Sequence, residues 1–411
     1  MAETRNTAGR SILTVNAGSS SLRFALFGAG APPRRLLSGT VDRTGLAGTT
    51  LKVVEADGRR HDVRDVEVTR ATDHHGTAAG LIEWLDMRFA RGSFAAVGHR
   101  VVHGGPSYGD SQLVTPELVD ELRRLVPFAP NHMPAAVGLI EAFALHYPGV
   151  PQIACFDTAF HHDLPAVARA LPIPRRYAAK GIRRYGFHGL SYAYLLEELA
   201  RIAGPAAADG RVILAHLGNG ASLAAVRGGR CVDTSMGFTP TGGLMMGTRS
   251  GDLDPGLLTH LVREEGLTAD GLEDLTGRQS GLLGVSETSS DMRTLLANER
   301  NDARAAEAIA LYCYQLKKWL GAFAAALGGL DTLVFAGGIG EHAPQVRDRA
   351  CQGLGFLGVR IDAARNSATA PVISTDDAPV AVRVIPTDEE VMIAKAVYRL
   401  TDSPPARGVG T

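Results

Sequence analysis

Residues 12–22 read Ile-Leu-Thr-Val-Asn-Ala-Gly-Ser-Ser-Ser-Leu, and residues 213–223 read Ile-Leu-Ala-His-Leu-Gly-Asn-Gly-Ala-Ser-Leu. Each segment is an apolar run, then a tip of Gly, Ser or Asn, then the start of a second apolar run. That second run contains Phe24-Ala25-Leu26-Phe27 in one copy and Ala224-Ala225-Val226 in the other. Apolar runs joined by small-residue tips predict β-hairpins. The two copies stand 201 residues apart (12 to 213), about half of the 411-residue chain. Matched hairpins near the starts of two half-chains point to a duplicated architecture.

Outward from these hairpins, strands and helices alternate. Ala95–His103 reads as a buried strand. Thr115–Leu125 reads as a helix with Thr115 as N-cap and Pro116 in its first turn. Ala135–Leu145 and Ser191–Ala203 carry helical patterns, and Gln152–Asp157 is a further strand. Asn301–Leu327 is an Ala-rich helix, and Asp331–Ala336 is a strand that runs into Gly337–Gly340. Alternation of this kind predicts layered α/β domains. A chain of this length is expected to hold two or three domains, with breaks near Thr158 and a loop at Gly204–Gly210. Residues 1–10 and 401–411 are expected to be disordered.

Composition narrows the function. The 42 basic and 43 acidic residues nearly cancel, which argues against nucleic-acid or membrane-surface binding. The most apolar stretch, Leu320–Gly340, is cut by Asp331 and several glycines, so no membrane span is expected. The opening MAETRNTAGR has no apolar core of a secretory signal, and the four cysteines form no CxxC pair. Buried free thiols in a reducing cytosol are therefore expected.

The glycine-rich turns carry the chemical signal. None of the five lysines stands in a GxxxxGK(S/T) loop, which excludes P-loop chemistry. Gly338-Ile339-Gly340 lacks the third glycine of a dinucleotide fingerprint. Hairpin tips rich in Gly and Ser can instead cradle phosphate oxygens with backbone N–H groups and hydroxyls. Asn16–Ser21 and Gly218-Asn219-Gly220 qualify, with an ordinary tight turn as the competing reading. Two matched tips favour a nucleotide between two halves, with Gly337–Gly340 as a surface for its nucleoside.

Arg100 and Arg249 lie among apolar residues or glycines. Such arginines either pair with an internal carboxylate or clamp an anion. Asp157 ends the run QIACFD, where a helix N-cap competes with a site role. His188 sits between glycines in YGFHG, where a hydrogen-bonded core histidine is the alternative. Asp388, Glu389 and Glu390 open the last helix; acids there complement the helix dipole and can also hold Mg²⁺ through water. His99 and His103 lack the Glu of an HExxH zinc motif. The pairs His74-His75 and His161-His162 read as surface pairs.

Taken in order, these segments resemble the acetate and propionate kinase family. The resemblance runs from about Ser11 to Leu400 on VNAGSSSLRF (15–24), VGHRVVHGG (97–105), FDTAFH (156–161) and GIRRYGFHG (181–189). It continues through HLGNGASL (216–223), MGTRSGDLDPG (246–256), FAGGIGE (335–341) and PTDEE (386–390). It implies the duplicated two-domain α/β fold of the sugar kinase, heat-shock ATPase and actin superfamily, with the nucleotide site in the interdomain cleft. The implied division is an acyl-substrate and magnesium domain, residues 1–157 completed by 388–411, and a nucleotide domain, residues 158–387. The implied reaction is reversible, direct in-line phosphoryl transfer between ATP and acetate, giving ADP and acetyl phosphate. Propionate or another short-chain acid is the alternative acceptor, and a nucleotide-binding switch on the same fold is a more distant one.

Carried over by position, the resemblance implies Arg100, Asp157, His188 and Arg249 as catalytic residues. Val102, Phe187 and Pro240, with Arg100, would bind the acyl substrate. Ser19, Ser21, Arg23, His216, Gly218, Asn219, Gly220, Gly337, Gly338, Ile339 and Gly340 would bind nucleotide. Asn16 and Glu389 would be associated with Mg²⁺ or Mn²⁺. A cytoplasmic homodimer is implied as well. Because acetate is already ionised, Asp157 is expected to orient an arginine or the metal rather than take a proton. The chain departs from the family pattern at Asn131, Thr241, His342, Arg23, Asp388 and Tyr192.

Overall fold

The computed structural model describes residues 11–18, 21–28, 30–42, 50–63, 74–90 and 92–402. The expected terminal tails therefore fall almost wholly outside the described residues, and so does Ser19. The side chains of His74 and His75 also lie outside them. The chain divides into two compact units: Met1–Ala159 with Asp388–Thr411, and Phe160–Thr387.

The first unit carries strands β1 (Ser11–Ala17), β2 (Ser21–Gly28), β3 (Arg34–Asp42), β4 (Thr50–Glu55), β5 (Arg60–Val63), β6 (Phe94–Val101), β7 (Gln112–Leu113) and β8 (Gln152–Phe156). Their order in one sheet is β5-β4-β3-β2-β1-β6-β8-β7. β1 to β5 form an antiparallel meander; β6 adds parallel to β1, and β8 parallel to β6. β1 and β8 are buried along almost their whole length, as strands covered on both faces must be.

The second unit carries β9 (Arg211–Leu217), β10 (Ala221–Arg227), β11 (Arg230–Thr234), β12 (Thr332–Ala336) and β13 (Ala381–Val384), in the order β11-β10-β9-β12-β13. β9 to β11 are an antiparallel meander, and β12 and β13 add in parallel. Both sheets thus share one pattern: three meander strands, then two parallel strands beside the first. The repeat in the sequence is a repeat of topology, with β1–β2 and β9–β10 as its matching hairpins.

Helices follow from local signals. Thr115 accepts a hydrogen bond from the Leu118 amide at the start of Pro116–Arg124, which closes one open helix donor. Asp302 caps Ala303–Leu327, and Gly328 ends that helix in the left-handed region at φ 73°. Along it Ala305, Ala308, Ile309, Tyr312, Leu316 and Phe323 bury one face at helical spacing. The expected loop at Gly204–Gly210 instead contains a short helix, Pro205–Asp209. Proline in its first turn presets φ, and three alanines continue it.

The last helix, Glu389–Asp402, packs against the first unit's sheet. A Cβ on Gly98 would lie 2.4 Å from Ile393 Cγ2 and 2.6 Å from Val397 Cγ2. Only glycine on β6 lets this helix approach so closely, and that approach brings Glu389 and Glu390 to the ends of β1 and β6. All four cysteines are free and buried. Burial pushes the Cys155 thiol up to about 12, so it stays protonated at neutral pH. Among the described residues no helix is long and apolar enough to cross a membrane.

Candidate active site

Each unit gathers its unusual residues at the same end of its parallel strands. In the first unit these are Asn16 at the end of β1, Arg100 on β6, Asp157 just after β8, and Glu389 and Glu390 at the start of the last helix. Arg100 Nε donates to Asp157 Oδ1 at 2.9 Å, and its terminal nitrogen donates to Oδ2 at 2.6 Å. Its other terminal nitrogen donates to Asn16 Oδ1 at 3.0 Å and stands 3.6 Å from Glu389 Oε2. Asn16 Nδ2 in turn donates to Glu389 Oε2 at 2.8 Å and to Glu390 Oε1 at 3.2 Å. The two-pronged pair is the geometry in which guanidinium and carboxylate bind best.

Electrostatics follow from this crowding. Burial lowers the pKa of Arg100, but the charges of Asp157, Glu389 and Glu390 outweigh it and raise the pKa above its ordinary value. Glu390 is pushed above the ordinary carboxylate range by burial first and by the Glu389 charge second. Three carboxylates thus surround one guanidinium, and the surplus negative charge suits a hard cation. Among the described residues, no group of three His, Cys, Asp or Glu side chains could hold a metal ion unaided. A magnesium ion here would rely on water and phosphate oxygens for most of its shell, as that ion commonly does. Arg35 holds Asp388 at 2.5 Å, so the first acid of the DEE run braces the helix.

The second unit builds its site from backbone, imidazoles and hydroxyls. The turn Tyr185–Gly189 enters the helix Gly189–Ala203 with Gly186 at φ 74° and His188 at φ 59°. A left-handed histidine is costly, and it is held by its side chain. His188 Nδ1 lies 2.8 Å from Ser222 Oγ, which lies 2.5 Å from the Tyr192 hydroxyl. The His188 ring stacks on His216 at a centroid distance of 4.3 Å. His216 Nδ1 lies 2.8 Å from Ser191 Oγ, which is 2.7 Å from Thr387 Oγ1.

The β9–β10 tip passes directly over these rings. A Cβ on Gly220 would sit 3.3 Å from His188 Nε2 and 3.5 Å from a terminal nitrogen of Arg249. Arg249 also donates to the Pro240 carbonyl at 3.0 Å. The Gly247 amide donates to the Asn219 carbonyl at 3.1 Å, tying the MGTRSG turn to the tip. β12 runs parallel to β9, with Ala336 opposite His216, so Gly337 follows at the same end. Gly337 has φ 76°, and a Cβ there would lie 2.7 Å from the Leu217 carbonyl oxygen. Gly337–His342 is a short six-residue helix rather than an open loop. Its Gly337 amide donates to Glu341 Oε1 at 2.8 Å, and Gly338 stands exposed with space around it. Beneath it the fully buried Arg347 donates to the Gly340 and Glu341 carbonyls, at 2.8 and 2.9 Å.

The remaining expected residues are placed as follows. Val102 is buried in the first unit; Phe187 and Pro240 are buried in the second. Ser21 accepts the Gly18 amide at 2.8 Å through its carbonyl, closing the β1–β2 tip. Arg23 is exposed on β2, across from Asn16. Asn131 and His342 are exposed, and Thr241 is half-buried. His161 departs from expectation: it is buried, not a surface residue. Its ring lies 3.0 Å from the Phe187 carbonyl and 3.1 Å from Cys231 Sγ, and burial holds its pKa near about 4. Gly186 makes room for it, since a Cβ there would meet that ring at 2.6 Å. The hydroxyls Ser191, Ser222 and Thr387, and the buried Arg347, were not legible as site residues. Ser and Thr are too common for their spacing to signal, and Arg347 lies in an ordinary helical pattern.

Residues 11–395 match the Acetokinase family. The chain belongs to that family. Among relatives, it is 48% identical over 396 residues to an acetate kinase of Rhodopseudomonas palustris, covering 95% of this chain and 98% of that protein. It is 43% identical over 400 residues to a propionate kinase of Escherichia fergusonii, covering 96% of this chain and 98% of that protein. The crystal structure of Porphyromonas gingivalis acetate kinase superposes with a TM-score of 0.83 at 38% identity, covering 96% and 100% of the two chains. The acetokinase fold is therefore the fold of this chain.

Proposed function

We propose that this chain catalyses reversible phosphoryl transfer from ATP to acetate, giving ADP and acetyl phosphate, with the two clusters dividing the work. Each unit by itself contributes to the reading: the first holds a carboxylate-held Arg100, and the second holds His188 and Arg249 at a glycine tip. A full-length match to acetate kinases supports it.

In this reading the first unit, completed by its last helix, is the acyl-substrate and magnesium domain. Arg100 binds the acetate carboxylate, and Asp157 orients Arg100 through the two-pronged pair rather than taking a proton. The family resemblance assigns the methyl group to the apolar residues Val102, Phe187 and Pro240. The second unit is the nucleotide domain. Gly218, Asn219 and Gly220 with His216 cradle phosphates, and Gly337, Gly338, Ile339 and Gly340 receive the adenosine; the family resemblance adds Ser19, Ser21 and Arg23 as nucleotide-binding residues. A loose phosphoryl transition state spreads charge over its equatorial oxygens, so cationic and N–H donors do most of the work. Arg249 and His188 supply these donors at the tip. Asn16 and Glu389 would hold Mg²⁺, or Mn²⁺, through its water shell; when bound, the ion neutralises phosphate charge. A homodimer in the cytoplasm completes the proposal.

Hydroxylamine trapping tests it. With Mg-ATP, acetate should yield acetyl hydroxamate at low acid concentration, and ADP should appear in step. ADP binding without hydroxamate from any short acid would reject it. Propionate is the second reading, favoured by the 43% identity to a propionate kinase. An apolar pocket separates acids differing by one methylene by only about 1–3 kcal/mol, so the ratio of kcat/KM values decides.

A further inference from the structure

The two stacked imidazoles are each backed by a pair of hydroxyls, and the two arrangements match. Behind His188, Ser222 Oγ is 2.8 Å from Nδ1 and 2.5 Å from the Tyr192 hydroxyl. Behind His216, Ser191 Oγ is 2.8 Å from Nδ1 and 2.7 Å from Thr387 Oγ1. Ser191 and Ser222 are fully buried. Both rings therefore turn Nε2 to the opposite side, toward the β9–β10 tip. His188 Nε2 lies 3.3 Å from the Cβ position of Gly220, and His216 Nε2 lies 3.8 Å from that of Gly218.

A neutral imidazole carries one N–H, and the partner of one ring nitrogen decides where it sits. We propose that Tyr192 and Ser222, and likewise Thr387 and Ser191, are positioning residues that keep both histidines as Nε2–H tautomers. Tyr192 donates to Ser222, which donates to His188 Nδ1; Thr387 donates to Ser191, which donates to His216 Nδ1. Each serine spends its single proton on the imidazole because it accepts a second hydroxyl proton from behind. The result is two N–H donors side by side at the phosphate tip, aimed before substrate arrives and needing no protonation of either ring. The purpose of these donors rests on the kinase reading above; the tautomers do not. Tyr192 is a departure from the family pattern, and here its hydroxyl gains a defined task.

Nitrogen-15 NMR of the full chain with labelled histidine tests this, since the two tautomers give distinct ring-nitrogen shifts. His188→Asn and His216→Asn assign the signals. Both rings should show Nε2–H in the wild type, free and with ADP. Ser222→Ala should disturb the His188 pattern and leave His216 in place; Ser191→Ala should do the reverse. Tyr192→Phe and Thr387→Val, which keep shape, should lower kcat about tenfold with KM for ATP and acetate within about twofold, as loss of a donor's aim rather than of the donor predicts. Nδ1–H on either ring, or unchanged tautomers and kcat in these variants, would overturn the inference while leaving the kinase reading standing. A wild type without hydroxamate would overturn both the kinase reading and the purpose given to the donors.

Discussion

The two clusters stand at equivalent ends of sheets that share one five-strand pattern, yet they are built from different materials. In the first unit, Arg100, Asp157, Glu389 and Glu390 are charged groups that meet one another and Asn16. In the second, the β9–β10 tip is lined by backbone, by imidazoles on hydroxyls, and by Arg249, which rests on the Pro240 carbonyl. A buried charge network fails when one member is removed, because the others keep their desolvation cost. A backbone cradle fails when its shape changes, whatever the charge. A duplicated topology has therefore been filled with two different kinds of fragility.

The largest effect should come from the first. Arg100→Gln leaves Asp157, Glu389 and Glu390 without their shared cation and should cost about 3–5 kcal/mol in urea unfolding. Hydroxamate formation should fall at least ~10³-fold with it. A variant of near-native stability would show that the charges are not coupled as drawn. Asp157→Asn keeps the shape but loses the charge that fixes the guanidinium. Its kcat should drop on the order of 10²-fold in the hydroxamate assay. A near-wild-type rate would reduce Asp157 to a structural residue.

Acid should treat the two units alike. Burial lowers His99 in the first and His161 in the second to about 4, against 6.5 for a free histidine. Between these values the unfolded chain takes up protons that the folded chain refuses. Stability from this source is full above pH 6.5 and is lost as pH falls toward 4, on the order of 3 kcal/mol per histidine. Thermal unfolding across that range should show the loss, and His99→Gln and His161→Gln should each remove one proton's worth of slope. Equal slopes in wild type and variants would reject the assignment.

The smallest effect should fall on the backbone cradle. Gly337→Ala forces a Cβ into the left-handed region and against the Leu217 carbonyl oxygen at 2.7 Å. Unfolding free energy should drop by about 1–3 kcal/mol. Calorimetry should show weakened ADP binding while Arg100 chemistry in the other unit is unaltered. Undiminished ADP affinity would show that this turn does not carry the nucleoside.

Much of this was readable from residues alone. Period and punctuation marked the hairpins, the Thr115 cap and the long Ala-rich helix, because these depend on neighbours a few positions apart; the Asp302 cap and the buried face of that helix emerged only with the fold. Embedding in glycines and apolar residues marked Arg100, Arg249 and His188, since a charge or an imidazole in such company needs a partner. The partners themselves were decided only in three dimensions. Asp157 meets Arg100 across 57 positions, and Asn16 meets Glu389 across 373. His161, which resembles a surface residue beside His162, is interior because Gly186 leaves space for its ring. The hydroxyls behind His188 and His216 come from three separate segments that the sheet and one helix bring together. Local propensity acts over single turns of helix or strand and is written in the order of residues. Desolvation, charge pairing and hydrogen-bond direction depend on distances that only the closed chain sets.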